Sequence, residues 1–386
     1  MGNKKARVIA FYLPQFHPIP ENDEWWGKGF TEWTNVGKAK PLFKGHYQPR
    51  VPADLGYYDL RMPEVREAQA EMAREAGIEG FCYWHYWFGN GKQLLERPFS
   101  EVLDSGKPDF PFCLGWANHS WSNKSWQSVS KFTKSRVLME QTYPGEDEHI
   151  EHFYTVLKAF KDNRYICVDG KPLFVIFSPM TIPDVTSFIE LWRKLAVENG
   201  LKGIHFVGIT ENVTNYKSNK KNISTFRFAS LSEGGDCYKR ILNKGFDAIS
   251  SRGFWRAELI VKGRYFKTIH AAIKKLIGGA FIEKYKYDNI IKYFFIDEDE
   301  WENVYPTIFN QWDRSPRQGK GAIIYTKSTP ALFNTHVKQA LEKIKNKEDE
   351  HKLLFLMSWN EWAESNYVEP DIVHGKGYLN VLRELL

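Results

Sequence analysis

The sequence contains little cysteine: four residues in 386, at Cys82, Cys113, Cys167 and Cys237. None of them forms a C-x-x-C pair, so the sequence argues against a disulfide framework and against a redox or zinc motif of that spacing. Cys82 and Cys113 lie inside short apolar runs, and this position predicts buried thiols. The cysteine content therefore excludes the class of small secreted domains that depend on disulfides.

Long hydrophobic runs are also absent. No stretch of 18 apolar residues occurs that would span a bilayer. Residues 1–7 lead directly into a predicted strand, without the apolar region of a secretory signal. These absences predict a reduced, cytoplasmic location.

The net charge is small for this length. The formal value is +6, so a nucleic-acid partner is not indicated. One segment is an exception, because residues 251–286 hold nine Lys or Arg but only Glu258 and Glu283 as acids.

The basic 251–286 segment also shows a helical apolar pattern. Apolar residues recur at helical spacing from Ile269 to Ile277, beside Lys267, His270 and the lysines at 274 and 275. A cationic amphipathic helix is one interpretation, and it predicts peripheral contact with an anionic membrane surface or a lipid phosphate. The other interpretation is an ordinary barrel helix with a solvated basic face.

Short apolar runs alternate with longer helical patterns along the chain, which is typical of repeated βα units. Eight runs are predicted to be strands, namely Arg7–Leu13, Gly80–His85, Phe112–Trp116, Leu173–Phe177, His205–Ile209, Phe246–Ile249, Tyr305–Phe309 and Leu353–Trp359. The predicted helices include Pro63–Ala76, Glu148–Lys161, Asp184–Glu198, Pro330–Lys345 and Tyr378–Leu386.

Eight strands covered by helices form a closed barrel that leaves no sheet edge to protect. A doubly wound open sheet would carry a glycine-rich turn after its first strand, whereas residues 13–18 here read Leu-Pro-Gln-Phe-His-Pro. We therefore predict an α/β fold, a (β/α)₈ TIM barrel formed by a single domain over residues 1–386. The candidate insertion is residues 211–300.

Aromatic residues make up 16% of the sequence and include 14 tryptophans. Eleven of the tryptophans lie at the ends of predicted strands or in the segments that follow them, where a barrel has its active site. Flat aromatic rings pack against the apolar faces of sugars, so a carbohydrate site is predicted there, although a tryptophan-rich core would also account for part of them. The predicted substrate-binding residues are His17, Trp33, Trp84, His85, Trp116, Asn118, Trp121, Trp312, Arg317, Asn360 and Trp362.

Two acids, Glu361 and Glu364, follow the eighth predicted strand. If this segment turns helically, the spacing puts both on one face, with β-carbons roughly 5–6 Å apart. A glycosidase needs two carboxyl groups, about 5–5.5 Å apart for retention and about 6.5–9.5 Å apart for inversion. The spacing fits retention, and burial among tryptophans should separate the two pKa values. We predict that both acids are catalytic, the alternative being acids that favour a helix N-terminus.

No metal site or cofactor is predicted. His149 and His152 stand at helical spacing, but no third ligand is evident. This pair is therefore predicted to lie on a solvated helix face.

Several long motifs resemble those of the WbsX-like proteins of surface-polysaccharide gene clusters. The motifs are Phe11–His17, Trp25–Val36, His46–Arg50, Asp54–Asp59, Trp359–Glu364 and Glu369–Asp371. That family is related to glycoside hydrolase family 99, the endo-α-mannosidases, which have a (β/α)₈ fold. The resemblance implies an enzyme that makes or cleaves glycosidic bonds with retention in O-antigen or capsule metabolism.

The same resemblance implies roles for the two acids. Glu361 would deprotonate the sugar 2-hydroxyl, which then attacks the anomeric carbon to give a 1,2-anhydro sugar. Glu364 would protonate the leaving oxygen and afterwards activate water or an acceptor hydroxyl, with no metal implied. Ala363 stands where the hydrolases commonly have His, and this departure bears on the identity of the sugar.

Three functions follow from these patterns. The first is a WbsX-like glycosyltransferase or transglycosidase, with a lipid-linked oligosaccharide as a candidate partner at the inner membrane. The absent secretory signal favours it, because polysaccharide precursors are assembled in the cytoplasm on lipid phosphates. The second is a retaining, endo-α-mannosidase-like hydrolase. The third is a non-catalytic carbohydrate-binding scaffold, in which both acids would tolerate alanine.

Overall fold

The computed structural model describes residues 5–123, 136–210, 234–277 and 282–386, and its centre is a closed barrel of eight parallel strands. The strands are β1 Arg7–Tyr12, β2 Gly80–Trp87, β3 Phe112–Trp116, β4 Lys171–Ile176, β5 His205–Ile209, β6 Ala248–Ser251, β7 Val304–Phe309 and β8 Leu353–Met357. They pair in sequence order, and β1 closes the ring by pairing with both β2 and β8. The predicted (β/α)₈ TIM barrel is confirmed.

Helices follow each barrel strand in turn. They are α1 Pro20–Trp26, α2 Glu32–Lys38, α3 Pro63–Glu75, α4 Arg97–Ser105, α5 Glu146–Phe160, α6 Val185–Glu198, α7 Gly234–Leu242, α8 Phe254–Ile277, α9 Tyr287–Ile291, α10 Ser315–Gln318, α11 Pro330–Ile344 and α12 Gly377–Leu385. In α6 the apolar residues Ile189, Trp192 and Leu195 recur at helical spacing and are buried, because these positions share the face that packs on the barrel. Asp184 caps this helix by accepting a hydrogen bond from the Ser187 backbone.

The predicted strand ends differ most at β6, where Phe246–Ile249 was expected and Ala248–Ser251 is found. Apolar character ends at Ile249, but the strand continues because Ser250 and Ser251 point into buried surroundings. The Ser250 hydroxyl lies 3.2 Å from the Thr307 hydroxyl of β7, so the polar group is satisfied inside the barrel.

The predicted insertion at 211–300 overlaps ordinary barrel elements. It contains β6 and the helices α7 and α8, while its residues 211–233 lie outside the described residues. Trp126, elsewhere in the sequence, also lies outside them. The additional elements within it are α9 and the strand Glu283–Lys286, which pairs in parallel with Ile323–Thr326. No helix in the described ranges is both long and apolar enough to cross a membrane.

Short strand pairs extend the barrel beyond its main strands. Trp121–Ser122 pairs with Val137–Met139, and Asn360–Glu361 pairs with Asn366–Tyr367. Gln93–Leu94 and Cys167–Val168 form short antiparallel pairs with β2 and β4. All four cysteines are free, and Cys82 and Cys113 are buried, as predicted.

Candidate active site

A cavity of about 340 Å³ opens at the carboxyl ends of the barrel strands, the usual position of an active site in this fold. Its wall comes from the residues that end or follow β1, β2, β3, β4, β6, β7 and β8. The lining residues are Leu13, Trp84, Tyr86, Ala117, His119, Trp121, Phe177, Arg252, Trp312, Arg314, Arg317, Met357, Ser358, Glu361 and Glu364.

A tight hairpin after β8 carries both predicted catalytic acids. Glu361 ends its first strand, and Glu364 ends the 3₁₀ turn Trp362–Glu364 that connects to the second. The buried Trp362 anchors this turn, because its Nε1 donates to Glu369 Oε2 over 2.6 Å and its ring stacks on Tyr367 with centroids 3.6 Å apart. The side chains of Glu361 and Glu364 both face the cavity.

One guanidinium group binds both acids. Arg317 donates from Nη2 to Glu361 Oε1 over 2.5 Å and from Nη1 to Glu364 Oε1 over 2.7 Å. A third carboxylate, that of Glu32 in α2, lies 2.9 Å from Arg317 Nη2 and is fully buried. Arg317 therefore joins acids from the first and last barrel units, and it holds the two cavity acids close together.

The loop after β7 carries Arg317 and is held by a second set of buried contacts. Asp313 Oδ2 lies 2.8 Å from His46 Nε2 and accepts a 2.6 Å hydrogen bond from Gln48 Nε2. The Asp313 backbone N–H donates to the Glu364 carbonyl over 2.8 Å. Arg314 adds a second cation, with Nη2 3.2 Å from Glu364 Oε1. These contacts fix the positions of the cations relative to the acids.

The two cavity acids have different pKa values. Burial, together with the nearby Glu364 and Glu32 carboxylates, raises the pKa of Glu361 to about 7 although Arg317 opposes the shift. Burial also acts to raise the pKa of Glu364, but Arg314 and Arg317 outweigh it and hold that pKa below its usual value. Between the two pKa values the pair therefore holds one proton, on Glu361, and Glu364 is ionised.

Aromatic rings form much of the remaining cavity wall. Trp84 stacks on Phe11 with centroids 4.7 Å apart and an interplanar angle of 4°. Trp121 packs edge-on against Tyr86 at 5.1 Å. With Trp312 on the opposite loop, these rings offer flat apolar surfaces to a ligand beside the acids.

The structure brings six predicted site residues together at the cavity and places the other seven in the protein interior or behind the wall. The cavity group is Trp84, Trp121, Trp312, Arg317, Glu361 and Glu364. The group away from this cavity is His17, Trp33, His85, Trp116, Asn118, Asn360 and Trp362.

Two buried asparagines of the second group connect neighbouring strand ends. Asn360 accepts from the Leu13 N–H over 2.8 Å and donates to the Leu13 carbonyl over 3.0 Å. Asn118 makes the same pair of bonds to Ser178, at 2.7 and 3.0 Å. Each amide therefore satisfies backbone groups where regular strand pairing has ended.

Two tryptophans of the second group donate to backbone carbonyls. Trp33 Nε1 donates to Tyr58 over 2.7 Å, and Trp116 Nε1 donates to Trp87 over 2.9 Å. Both side chains therefore support the loops behind the cavity wall.

The histidines of the second group are also buried. His17 Nδ1 lies 3.0 Å from the Pro14 carbonyl, and burial lowers its pKa to about 4. His85 Nε2 lies 2.9 Å from His152 Nε2. The predicted solvated face at His149 and His152 is wrong for His152, which is fully buried because its ring packs parallel to Trp87 at 4.7 Å.

Several cavity residues were not singled out from the sequence. They are Tyr86, His119, Arg252 and Arg314, together with Glu32 behind Arg317. Arg252 follows β6, and its guanidinium carbon lies 5.0 Å from the centroid of the Phe11 ring. The sequence signal that could identify these residues is their position after strand ends. For Glu32 the signal is its place next to Trp33 in the segment after β1.

Comparisons with known proteins agree with this architecture. Residues 8–382 match the family Glycosyltransferase WbsX. Two proteins named WxcX, from two strains of Xanthomonas campestris pv. campestris, are each 31% identical over 99% of this chain. The chain spans about half the length of these curated relatives, 50% in each case.

Solved structures show the same fold. The GH99 endo-alpha-mannosidase from Bacteroides thetaiotaomicron aligns with a TM-score of 0.53 at 15% identity, covering 98% of this chain and 95% of that one. A glycoside hydrolase-like protein aligns with a TM-score of 0.55 at 14% identity, covering 100% and 94%. The chain therefore belongs to the glycosyltransferase WbsX family, and its fold is a (β/α)₈ barrel.

Proposed function

We propose that this protein transfers a glycosyl group with retention of configuration during the assembly of a surface polysaccharide such as O-antigen or capsule. Residues 1–386 would form one catalytic domain, with Glu361 and Glu364 as the working carboxylates. One observation carries this function: both acids face the same tryptophan-lined cavity and bind the same guanidinium group, that of Arg317.

The state of the carboxyl pair supports acid–base chemistry. A retaining reaction through a 1,2-anhydro sugar needs one carboxylate to accept the 2-hydroxyl proton and one carboxylic acid to protonate the leaving oxygen. Burial and the surrounding charges separate the two pKa values, so the pair holds a single proton in the pH range between them. The site therefore holds one base and one acid, as that reaction requires.

The position of this proton defines a further step. The resemblance gives the base role to Glu361 and the acid role to Glu364, yet in the free protein the proton lies on Glu361. Substrate binding must therefore move the proton to Glu364 before the first step, or the two acids exchange roles. Substrates with different leaving groups distinguish these two outcomes, as described in the Discussion.

The acceptor distinguishes transfer from hydrolysis at the same site. The retaining endo-α-mannosidase-like reaction would use water where transfer uses a sugar hydroxyl. Transfer is favoured by the WbsX family match. A lipid-linked oligosaccharide at the cytoplasmic side of the inner membrane is the acceptor or donor that we propose.

Parallel incubations with lipid-linked oligosaccharide, nucleotide sugars and α-mannans, with products analysed by mass spectrometry, test the function. We expect a product that is heavier than the acceptor by one glycosyl unit. Free reducing sugar as the sole product would identify a hydrolase. Turnover that is unchanged in both Glu361→Ala and Glu364→Ala would identify a scaffold and remove the catalytic assignment.

A further inference from the structure

The long helix α8 is divided by Gly263, which has a left-handed φ of 78°. The part after this kink, residues 264–277, contains Arg264, Lys267 and the lysines at 274 and 275, but no Asp or Glu. The only acid in the part before the kink is Glu258. The helix is therefore strongly basic along its second half.

A buried ion-pair network determines which face of this second half turns inward. Lys267 Nζ donates to Glu258 Oε2 and to Glu283 Oε1, each over 2.6 Å. The three side chains are 5%, 5% and 8% exposed. The Trp255 ring centroid lies 5.0 Å from the same Nζ. The charged Lys267 thus forms the inward contact of residues 264–277. This part of α8 is therefore rotated away from the usual orientation, in which apolar side chains face the protein.

Apolar side chains consequently point to solvent. Tyr265 is 87% exposed, Ile269 is 59% exposed and Phe266 is 40% exposed. An ordinary barrel helix with a solvated basic face would bury Ile269 and expose Lys267. In this structure Ile269 is exposed and Lys267 is buried. We name Arg264, Tyr265, Phe266 and Ile269 the α8 surface.

We propose that the α8 surface binds the headgroup region of an anionic lipid membrane. Exposed aromatic and aliphatic side chains on a basic helix insert at the boundary between headgroups and acyl chains, and the cations attract anionic lipids. The charges match this partner, because Glu258 and Glu283, the acids of residues 251–286, are buried against Lys267. No acid of that segment therefore opposes an anionic surface.

Helix α8, which carries the α8 surface, contacts the cavity wall through Glu258 and Tyr325. The Tyr325 hydroxyl donates to Glu258 Oε1 over 2.8 Å, and its backbone N–H donates to the Trp312 carbonyl over 2.7 Å. Trp312 lines the cavity. A membrane bound at the α8 surface would therefore contact a helix that is linked to this wall, which suits a lipid-linked substrate. This last link rests on the proposed function, whereas membrane binding itself does not.

Co-sedimentation of the full chain with vesicles tests the membrane surface. We expect binding to vesicles of phosphatidylcholine with phosphatidylglycerol, little binding to pure phosphatidylcholine, and a decrease as salt is raised. The double variant Tyr265→Ser/Ile269→Ser should lower the partition coefficient at least about tenfold. Arg264→Glu should lower it for the anionic vesicles only.

The matched control is Tyr154→Ser/Val197→Ser, which removes side chains that are 51% and 62% exposed on other helices. We expect this control, and Glu364→Gln, to bind vesicles like the wild type. Absence of binding to anionic vesicles, or an equal loss in the control, would overturn the membrane surface. So would a dimer, detected by light scattering, that the double variant abolishes, because the surface would then join two copies. Vesicle binding can be measured without enzymatic turnover. Loss of vesicle binding would therefore contradict the membrane surface, and loss of turnover would bear on the proposed function alone.

Discussion

At the scale of single residues, Arg317 holds the carboxylates of the site close together. Three carboxylates, from Glu32, Glu361 and Glu364, lie within hydrogen-bond distance of its guanidinium group. Sequence patterns pointed to Glu361, Glu364 and Arg317 because each follows a strand end. They did not link Glu32 to them, because its proximity arises only when the barrel closes.

The two cavity acids can be tested with conservative substitutions. We expect Glu361→Gln and Glu364→Gln each to lower turnover at least about 10²-fold, because general acid–base groups contribute that much or more. The exposed Glu67→Gln in α3 is the control and should keep wild-type turnover. Activity near the wild-type rate in both site variants would contradict the assignment.

A good leaving group separates the roles of these acids. A substrate with an aryl leaving group needs no proton for departure, so it should restore the first step in the variant that lacks the acid. Under the roles implied by the resemblance, Glu364→Gln is rescued and Glu361→Gln is not. Burst kinetics with such a substrate provide the measurement, and the opposite pattern would show that the roles are exchanged.

The pH dependence follows from the pKa of Glu361. The proposed reaction needs one proton on the pair, and this proton is lost as pH rises through about 7. We therefore expect kcat/KM to decrease about tenfold per pH unit above that value, whichever acid carries the proton in the complex. In Glu361→Gln the residual rate should no longer show this limb near pH 7. A limb that stays at the same pH would belong to another group.

At the scale of elements, strands with a continuous apolar core and helices with a clear stripe were predictable, as α6 shows. Where polar groups are satisfied in the interior, no apolar pattern marks the buried positions. Ser250 and Ser251 extend β6 for this reason, and Lys267 reverses the orientation expected of α8. In both cases a buried hydrogen bond or ion pair replaces the hydrophobic contact on which periodicity depends.

The network below α8 gives a stability prediction. Lys267→Met would leave Glu258 and Glu283 buried without their cation, so we expect the free energy of unfolding to decrease by about 3–5 kcal/mol. The triple variant Lys267→Met/Glu258→Gln/Glu283→Gln should recover most of this loss, because it removes the buried charges as well. Urea denaturation followed by circular dichroism compares the three proteins. Equal stability of the single variant and the wild type would contradict a buried charge network.

At the scale of the whole molecule, barrel closure depends on β1, which pairs with both β2 and β8. The number and order of strands were predictable from the alternation of patterns. The division of the tryptophans was not, because strand-end position alone cannot separate rings that line a cavity, such as Trp121, from rings that support it, such as Trp362. That distinction depends on the direction of each side chain after the loops have folded.

Closure also predicts how a mutation in β1 affects the entire barrel. Ile9 is fully buried and lies between Phe355 of β8 and Gly80 of β2. Ile9→Ala should lower the free energy of unfolding by about 2–5 kcal/mol through the cavity it leaves. Val197→Ala, at an exposed position of α6, should change it by less than about 0.5 kcal/mol. Guanidinium denaturation measures both, and a loss in Ile9→Ala no larger than that in Val197→Ala would contradict the role of β1.

The three-carboxylate arrangement around Arg317 has a consequence for biosynthesis. Glu32 and Glu361 are about 330 positions apart in the sequence, so a ribosome adds nearly the whole barrel between them. A nascent chain that already exposes Glu32 and Trp33 lacks the hairpin that brings its partners. The proposed glycosyl transfer would therefore begin only after translation has passed the final strand, and a product of premature termination before that point would be inert.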